Sequence, residues 1–150
     1  MPNENIHIRP ATENDLPSIL LLYSQPDMDN GKVLMHDVAR GIFAKMNTYP
    51  DYTVYVAEMN GEVVGTFALL VMDNLAHQGS KSAVIEDVVV SQSCQRKGIG
   101  RQMMMYAVGV CREKSCYKVS LSSNAKRKNA HEFYKSLGFK IHGYSFLIEL

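Results

Sequence analysis

No apolar run in this sequence approaches the roughly 18 residues needed to cross a bilayer, and its first stretch, MPNENIHIRP, lacks the apolar core of a secretory leader. A cytoplasmic protein with no membrane partner is therefore expected. Net charge is nearly absent: 16 Lys and Arg against 15 Asp and Glu leave a formal +1. No global field points to nucleic acid or to a lipid surface, so any anion site must be local. Cysteine is sparse and odd in number. Cys94, Cys111 and Cys116 fit neither a CxxC pair nor a disulfide framework and read as reduced thiols, two of them in or beside apolar stretches where cysteine acts as a small buried hydrophobe. The histidines, His7, His36, His77, His131 and His142, show no ligand-type clustering, so no metal is expected. Repeats, low-complexity tracts and linkers are also missing. At 150 residues the chain is long enough for one domain with a real core and too short for two, so a single domain over 1–150 is expected.

What is present is a regular alternation of strand and helix patterns. Residues 6–9, IHIR, alternate as a strand, and Thr12 and Asp15 form a capping-box-like pair ahead of Leu16, Ile19, Leu20 and Tyr23. Residues 24–31, SQPDMDNG, read as a loop. A second helix is expected from near Lys32, because Leu34, Val38, Ile42 and Met46 recur at every fourth position. The segments TVYVAEM and EVVGTFALLVM meet at Asn60-Gly61, the strongest short hairpin signal. The segment AVIEDVVV at 83–90 is β-branched and reads as a mostly buried strand, interrupted by two acids. Ile99, Met103, Ala107 and Val110 keep helical spacing, with the methionines read as core filling. A strand YKVSLSS follows. Next comes a helix with Ala130, Phe133, Tyr134 and Leu137 on one face and Gly138 as its stop, and then two strands around Gly143. The order β-α-α-β-β-β-α-β-α-β-β predicts an α/β domain with a mixed sheet of about seven strands and about four helices.

Between the strand at 83–90 and the helix from Ile99 lies SQSCQRKGIGR. A helix start after a glycine-rich turn offers unpaired N–H groups and the positive end of a dipole, which favour a phosphate. Gly98 and Gly100 permit close backbone approach, and Arg96, Lys97 and Arg101 add charge at the rim. The other reading of such a turn is a solvated connection. The Walker pattern is absent, and the dinucleotide fingerprint GxGxxG fails because Met103 stands at its third glycine.

The run Gln95-Arg96-Lys97-Gly98-Ile99-Gly100 resembles the Q/R-x-x-G-x-G/A pattern of the GNAT acetyltransferases, and AHEFYKSLGF at 130–139 resembles that family's FY-x-x-LGF segment. The order of elements over essentially the whole chain is also the family's. Around IEDVVV at 85–90, CYKVSL at 116–121 and the hairpin, the likeness narrows to eukaryotic glucosamine-6-phosphate N-acetyltransferases.

The resemblance implies acetyl-CoA as co-substrate, with pantetheine against the backbone of Val88 and Val90 and the pyrophosphate over Gln95, Arg96, Lys97, Gly98, Ile99, Gly100 and Arg101. A small-molecule amine acceptor is expected, since no conspicuous acidic or basic groove favours a peptide, and the balanced charge implies no nucleic-acid partner; the resemblance implies a homodimer, which the C-terminal strands also suggest. An alkylamine has a pKa of about 10 and must lose a proton before attack. Glu86 and Asp87 are the candidate bases. Successive strand residues face opposite sides, so both reach a cleft only if a bulge reorients them. The resemblance favours Glu86 as base or water-positioner, with Asp87 as substrate contact or bulge residue. The alternative for either is a strand-end acid paired with a lysine or arginine. Tyr134 matches the family tyrosine that protonates the departing thiolate; without the following LGF it would read as a core aromatic. Where many members carry an asparagine that contacts the coenzyme, this chain has Arg127, which is expected to meet a CoA phosphate or to be solvated. Two further readings stay open: a peptide N-acetyltransferase, and a non-catalytic acyl-CoA-binding module.

Overall fold

The computed structural model describes residues 5–150. They form two compact units, one ending at Ser120 and a smaller one of Leu121–Leu150.

In the first unit five strands lie in sequence order, β1 (Ile6–Pro10), β2 (Tyr52–Met59), β3 (Glu62–Met72), β4 (Lys81–Val90) and β5 (Cys116–Ser120). β1 to β4 pair antiparallel, and β4 pairs parallel with β5, so the sheet is mixed as the sequence implies. The hairpin falls where Asn60-Gly61 predicts it. Both residues have positive φ, 54° and 82°, the backbone of a type I′ turn whose twist matches the flanking strands.

The helices are α1 (Leu16–Tyr23), α2 (His36–Met46) and α3 (Ile99–Glu113). α1 follows a short 3-10 turn in which the N–H of Thr12 donates to Asp15 Oδ2 at 2.7 Å. Asp15 is nearly buried, and Arg9 compensates its charge with two hydrogen bonds of 2.7 and 2.9 Å, tying β1 to the start of α1. Leu16, Ile19 and Leu20 of α1, with Ala39 and Phe43 of α2, cluster with Val54, Val56 and Ala68 of the sheet. α3 buries Ile99, Met103, Met104, Ala107 and Cys111, and packs on β3, β4 and β5. The methionines at 103 and 104 are core filling, as their spacing suggests. A Cβ on Gly65 would stand 2.6 Å from Met103 Sδ, so glycine is what lets helix and sheet approach there.

The sequence reading of α2 needs two corrections. The helix begins at His36, not near Lys32, and Met35 at its cap is extended (ψ 135°). Its core face is Ala39 and Phe43, whereas Val38 and Ile42 are 46% and 48% exposed. A spacing of four overshoots the 3.6-residue turn by about 40° per step, so a strict every-fourth stripe rotates away from a flat sheet.

The second unit holds α4 (Lys128–Ser136). Ala130, Phe133, Tyr134 and Leu137 are all half-buried, and Gly138 ends the helix at φ 95°. The expected strands around Gly143 do not form, which leaves five strands among the described residues where about seven are predicted. Strand structure requires a partner for its backbone groups. Residues 141–150 are instead exposed throughout, including Phe146 and Ile148 at 93% and 83%.

Candidate functional site

The parallel pairing of β4 with β5 runs from Lys81 opposite Cys116 to Val84 opposite Ser120 and stops there. β4 continues for six more residues along β3 alone. The β3–β4 register shows why this stretch is irregular: Ala68 lies opposite Glu86 and Thr66 opposite Val89, so Phe67 faces two residues, Asp87 and Val88. This is a β-bulge, and Asp87 at its centre has φ 53°. Asp is among the side chains that tolerate the left-handed region. Because of the bulge, Glu86 and Asp87 are both exposed and do not alternate in and out. Val88 and Val90 beyond them are half-buried.

The electrostatics around the two acids identify their neighbours. Desolvation raises the pKa of Glu86, and the charge of Asp87 raises it further. Desolvation also raises Asp87, and the second contribution is the carboxylate of Asp29 in the α1–α2 loop. Tyr23, the last residue of α1, is raised by burial and then by Asp87. Tyr52, the first of β2, is raised by partial burial, by Asp87 and by Glu86. Three carboxylates and two phenols, contributed by α1, its following loop, β2 and β4, thus act on one another through their charges. Sequence reading missed Tyr23 and Tyr52 as site residues. The available signal was Tyr23 itself, a hydroxyl-bearing side chain at a core position of α1.

Past Val90 the chain turns through a short 3-10 segment, Gln92–Cys94, and reaches α3 by two left-handed residues, Arg96 (φ 65°) and Gly98 (φ 81°). Gly98 is the N-cap and has no side-chain capping hydrogen bond. The first helical bond is from the Gln102 N–H to the Gly98 carbonyl at 3.1 Å, so the N–H groups of Ile99, Gly100 and Arg101 have no intrahelical acceptor. These donors and the helix dipole fit an anion such as a diphosphate. Gln95, Arg96, Lys97 and Arg101 are exposed at the rim. Ile99 buries its side chain, leaving its N–H as what it can offer a ligand. Gly100 lies in the first turn of the helix and not in the loop.

In the second unit, Tyr134 on α4 packs between Phe133 (5.2 Å between ring centroids) and Phe139 (5.8 Å). Burial raises its pKa, and the positive charge of Arg127 opposes that rise. Arg127 is the N-cap of α4; its N–H donates to the Asn124 carbonyl and its carbonyl accepts from the His131 N–H.

The mixed sheet, the exposed acids Glu86 and Asp87 on β4 and the uncapped start of α3 lie on the segments where the resemblance places the acetyl-CoA site. The chain belongs to the Acetyltransferase (GNAT) family, whose model matches residues 18–139. Among curated relatives, it is 35% identical over 89 residues to the glucosamine 6-phosphate N-acetyltransferase of Trypanosoma brucei brucei. That match covers 59% of this chain, and this chain spans 58% of the relative's length. It is 30% identical over 133 residues to the aminoalkylphosphonate N-acetyltransferase of Salmonella typhimurium, covering 89% of this chain and 84% of that one. A solved structure of a putative acetyltransferase from Agrobacterium tumefaciens superposes with a TM-score of 0.90 at 33% identity, covering 96% of this chain and 99% of that one.

Proposed function

We propose that this protein moves the acetyl group of acetyl-CoA directly to the primary amine of a small molecule, its two units acting as one acetyltransferase domain. The observation that carries the reading is the run of β4 beyond Val84. There the strand has lost its β5 partner, the bulge turns Glu86 and Asp87 outward, and the chain passes straight into the uncapped start of α3. Pantetheine pairs with the main chain of Val88 and Val90, and the diphosphate takes the N–H groups at the start of α3, with Arg127 a further contact for a phosphate. Glu86, directly or through a water, accepts the ammonium proton, and Asp87 orients the amine beside Asp29. The neutral nitrogen attacks the thioester carbonyl carbon, the C–S bond breaks, the thiolate leaves with a proton from Tyr134, and the proton that the nitrogen sheds on becoming an amide returns to the Tyr134 phenolate. Raised pKa values suit both roles: they bring a carboxylate nearer to neutrality as a base and keep a phenol protonated as an acid.

The relatives support a small acceptor, since those named above act on an amino sugar phosphate and on aminoalkylphosphonates. Incubation with acetyl-CoA and matched sets of amino sugar phosphates, aminoalkylphosphonates, polyamines and lysine peptides, read by product mass, separates the acceptor classes. Acetylation of a small amine supports the reading; acetylation of peptides alone contradicts it.

We further propose a homodimer. Tyr144, Phe146, Ile148 and Leu150 alternate with Ser145, Leu147 and Glu149 in a strand-like pattern, and all are exposed. A second copy supplies the strand partner that this segment lacks.

A further inference from the structure

Gln25 lies two residues past the end of α1, and its main chain shapes the loop that follows. Its carbonyl accepts from the N–H of Met28 at 3.0 Å and of Asn30 at 3.2 Å, folding the turn that carries Asp27 and Asp29. Its side chain makes two long-range bonds. Nε2 donates to the Val90 carbonyl at 3.1 Å, and Oε1 accepts from the Gln92 N–H at 2.9 Å. On the opposite side of the same strand end, the Ser91 N–H donates to the Val64 carbonyl of β3 at 2.8 Å. A primary amide can donate and accept at adjacent positions, as a neighbouring strand residue would. The Gln25 side chain therefore stands in for the strand partner that β4 lacks beyond Val84, at the point where the chain leaves the sheet for the 95–101 loop.

The loop that Gln25 anchors also bears on the acids of β4, since the Asp29 charge acts on Asp87. It thus meets β4 at the strand end through Gln25, while the charge of Asp29 is felt at the bulge.

We propose that Gln25 is a positioning residue that joins the loop on the acceptor side to the loop on the coenzyme side, so that both substrates depend on one side-chain amide. This rests on the assignment of residues 95–101 to the coenzyme diphosphate. Gln25 touches neither reacting group; it sets where the two loops stand.

The test uses the full chain with Gln25→Ala and Gln25→Glu, reading CoA affinity by calorimetry, KM for each substrate against kcat, and thermal unfolding. Loss of two backbone bonds in Gln25→Ala is expected to weaken CoA binding roughly tenfold and to raise both KM values similarly, with kcat changed by less than about threefold. Gln25→Glu keeps the size and the acceptor. Its carboxylate cannot donate to the Val90 carbonyl, but a protonated carboxyl can. Its CoA affinity is therefore expected to be low near neutrality and to recover as pH falls towards about 5. Arg9, Asp15, Glu58 and Glu62 line the cavity that Gln25 borders, and the unsubstituted protein titrated in parallel accounts for them. A residue that served the fold alone would lower the unfolding temperature without this pH-dependent recovery. CoA affinity and both KM values of Gln25→Ala within twofold of the unsubstituted protein, or a Gln25→Glu affinity that does not recover, overturn this inference alone. Failure of the unsubstituted protein to bind CoA overturns the coenzyme assignment and this inference together.

Discussion

Glu86 and Asp87 are adjacent in β4 and both exposed, and after desolvation the Asp87 carboxylate is what raises the pKa of Glu86. A base works deprotonated, so the acid limb of kcat/KM should lie above the ordinary carboxylate value. Asp87→Asn removes the second cause and leaves the first. The limb should move to lower pH without reaching the ordinary value, and Glu86→Gln should abolish it. A limb that stays put in Asp87→Asn would exclude Glu86 as the group it reports.

The shift of Asp87 itself bears on stability. Asp87 has a folded pKa above its unfolded one, so the native state binds more protons and stability falls as pH rises through that interval. Asp87→Asn should therefore raise the unfolding temperature at about pH 7 and leave it nearly unchanged at about pH 3, below both values. Asparagine accepts the positive φ as aspartate does, so backbone strain does not confuse the comparison.

Tyr134→Phe keeps the ring between Phe133 and Phe139 and removes the proton donor. We expect kcat to fall by about 10²-fold or more, with the CoA dissociation constant little changed. Because burial raises the Tyr134 pKa, activity should show no alkaline loss below about pH 10. Arg127 lowers that pKa, so Arg127→Gln should move any alkaline limb further up. Unchanged turnover in Tyr134→Phe would exclude the acid role.

Gly98 has φ 81°, and a Cβ placed on it would meet no atom within 4 Å. Its substitution therefore acts through the backbone alone, at about 1–2 kcal/mol for a left-handed residue. Gly98→Val should weaken CoA binding about tenfold, whereas Lys97→Ala, which leaves the N–H donors in place, should change it less than threefold. Equal losses would mean that side-chain charge, and not backbone donation, holds the anion.

Replacement of Phe146 and Ile148 by aspartate should shift the protein from dimer to monomer in light scattering. A monomer in both forms would contradict the dimer.

Much of this could be read in the letters because local chemistry decides it. Asn60-Gly61 needs two positive φ values and forms the hairpin, Thr12 and Asp15 open the first helix, and Gly98 opens α3. The bulge was legible only as a condition on Glu86 and Asp87, since β4 carries one residue more than β3 and only the pairing reveals it. Val38 and Ile42 misled because a four-residue recurrence resembles a helical face but drifts around it. The strands expected around Gly143 failed because a strand pattern does not name its partner. Tyr23, Tyr52 and Gln25 escaped notice for a related reason: their roles come from residues far along the chain, brought close by the sheet.

The most direct test of acetyl transfer is free-thiol release from acetyl-CoA measured against the concentration of a small amine, together with the intact mass of the protein. The account predicts saturable release that requires the amine and matches its acetylation one for one, with no acetyl group left on the protein. Tight acetyl-CoA binding with no release for any amine would contradict it and leave an acyl-CoA-binding module.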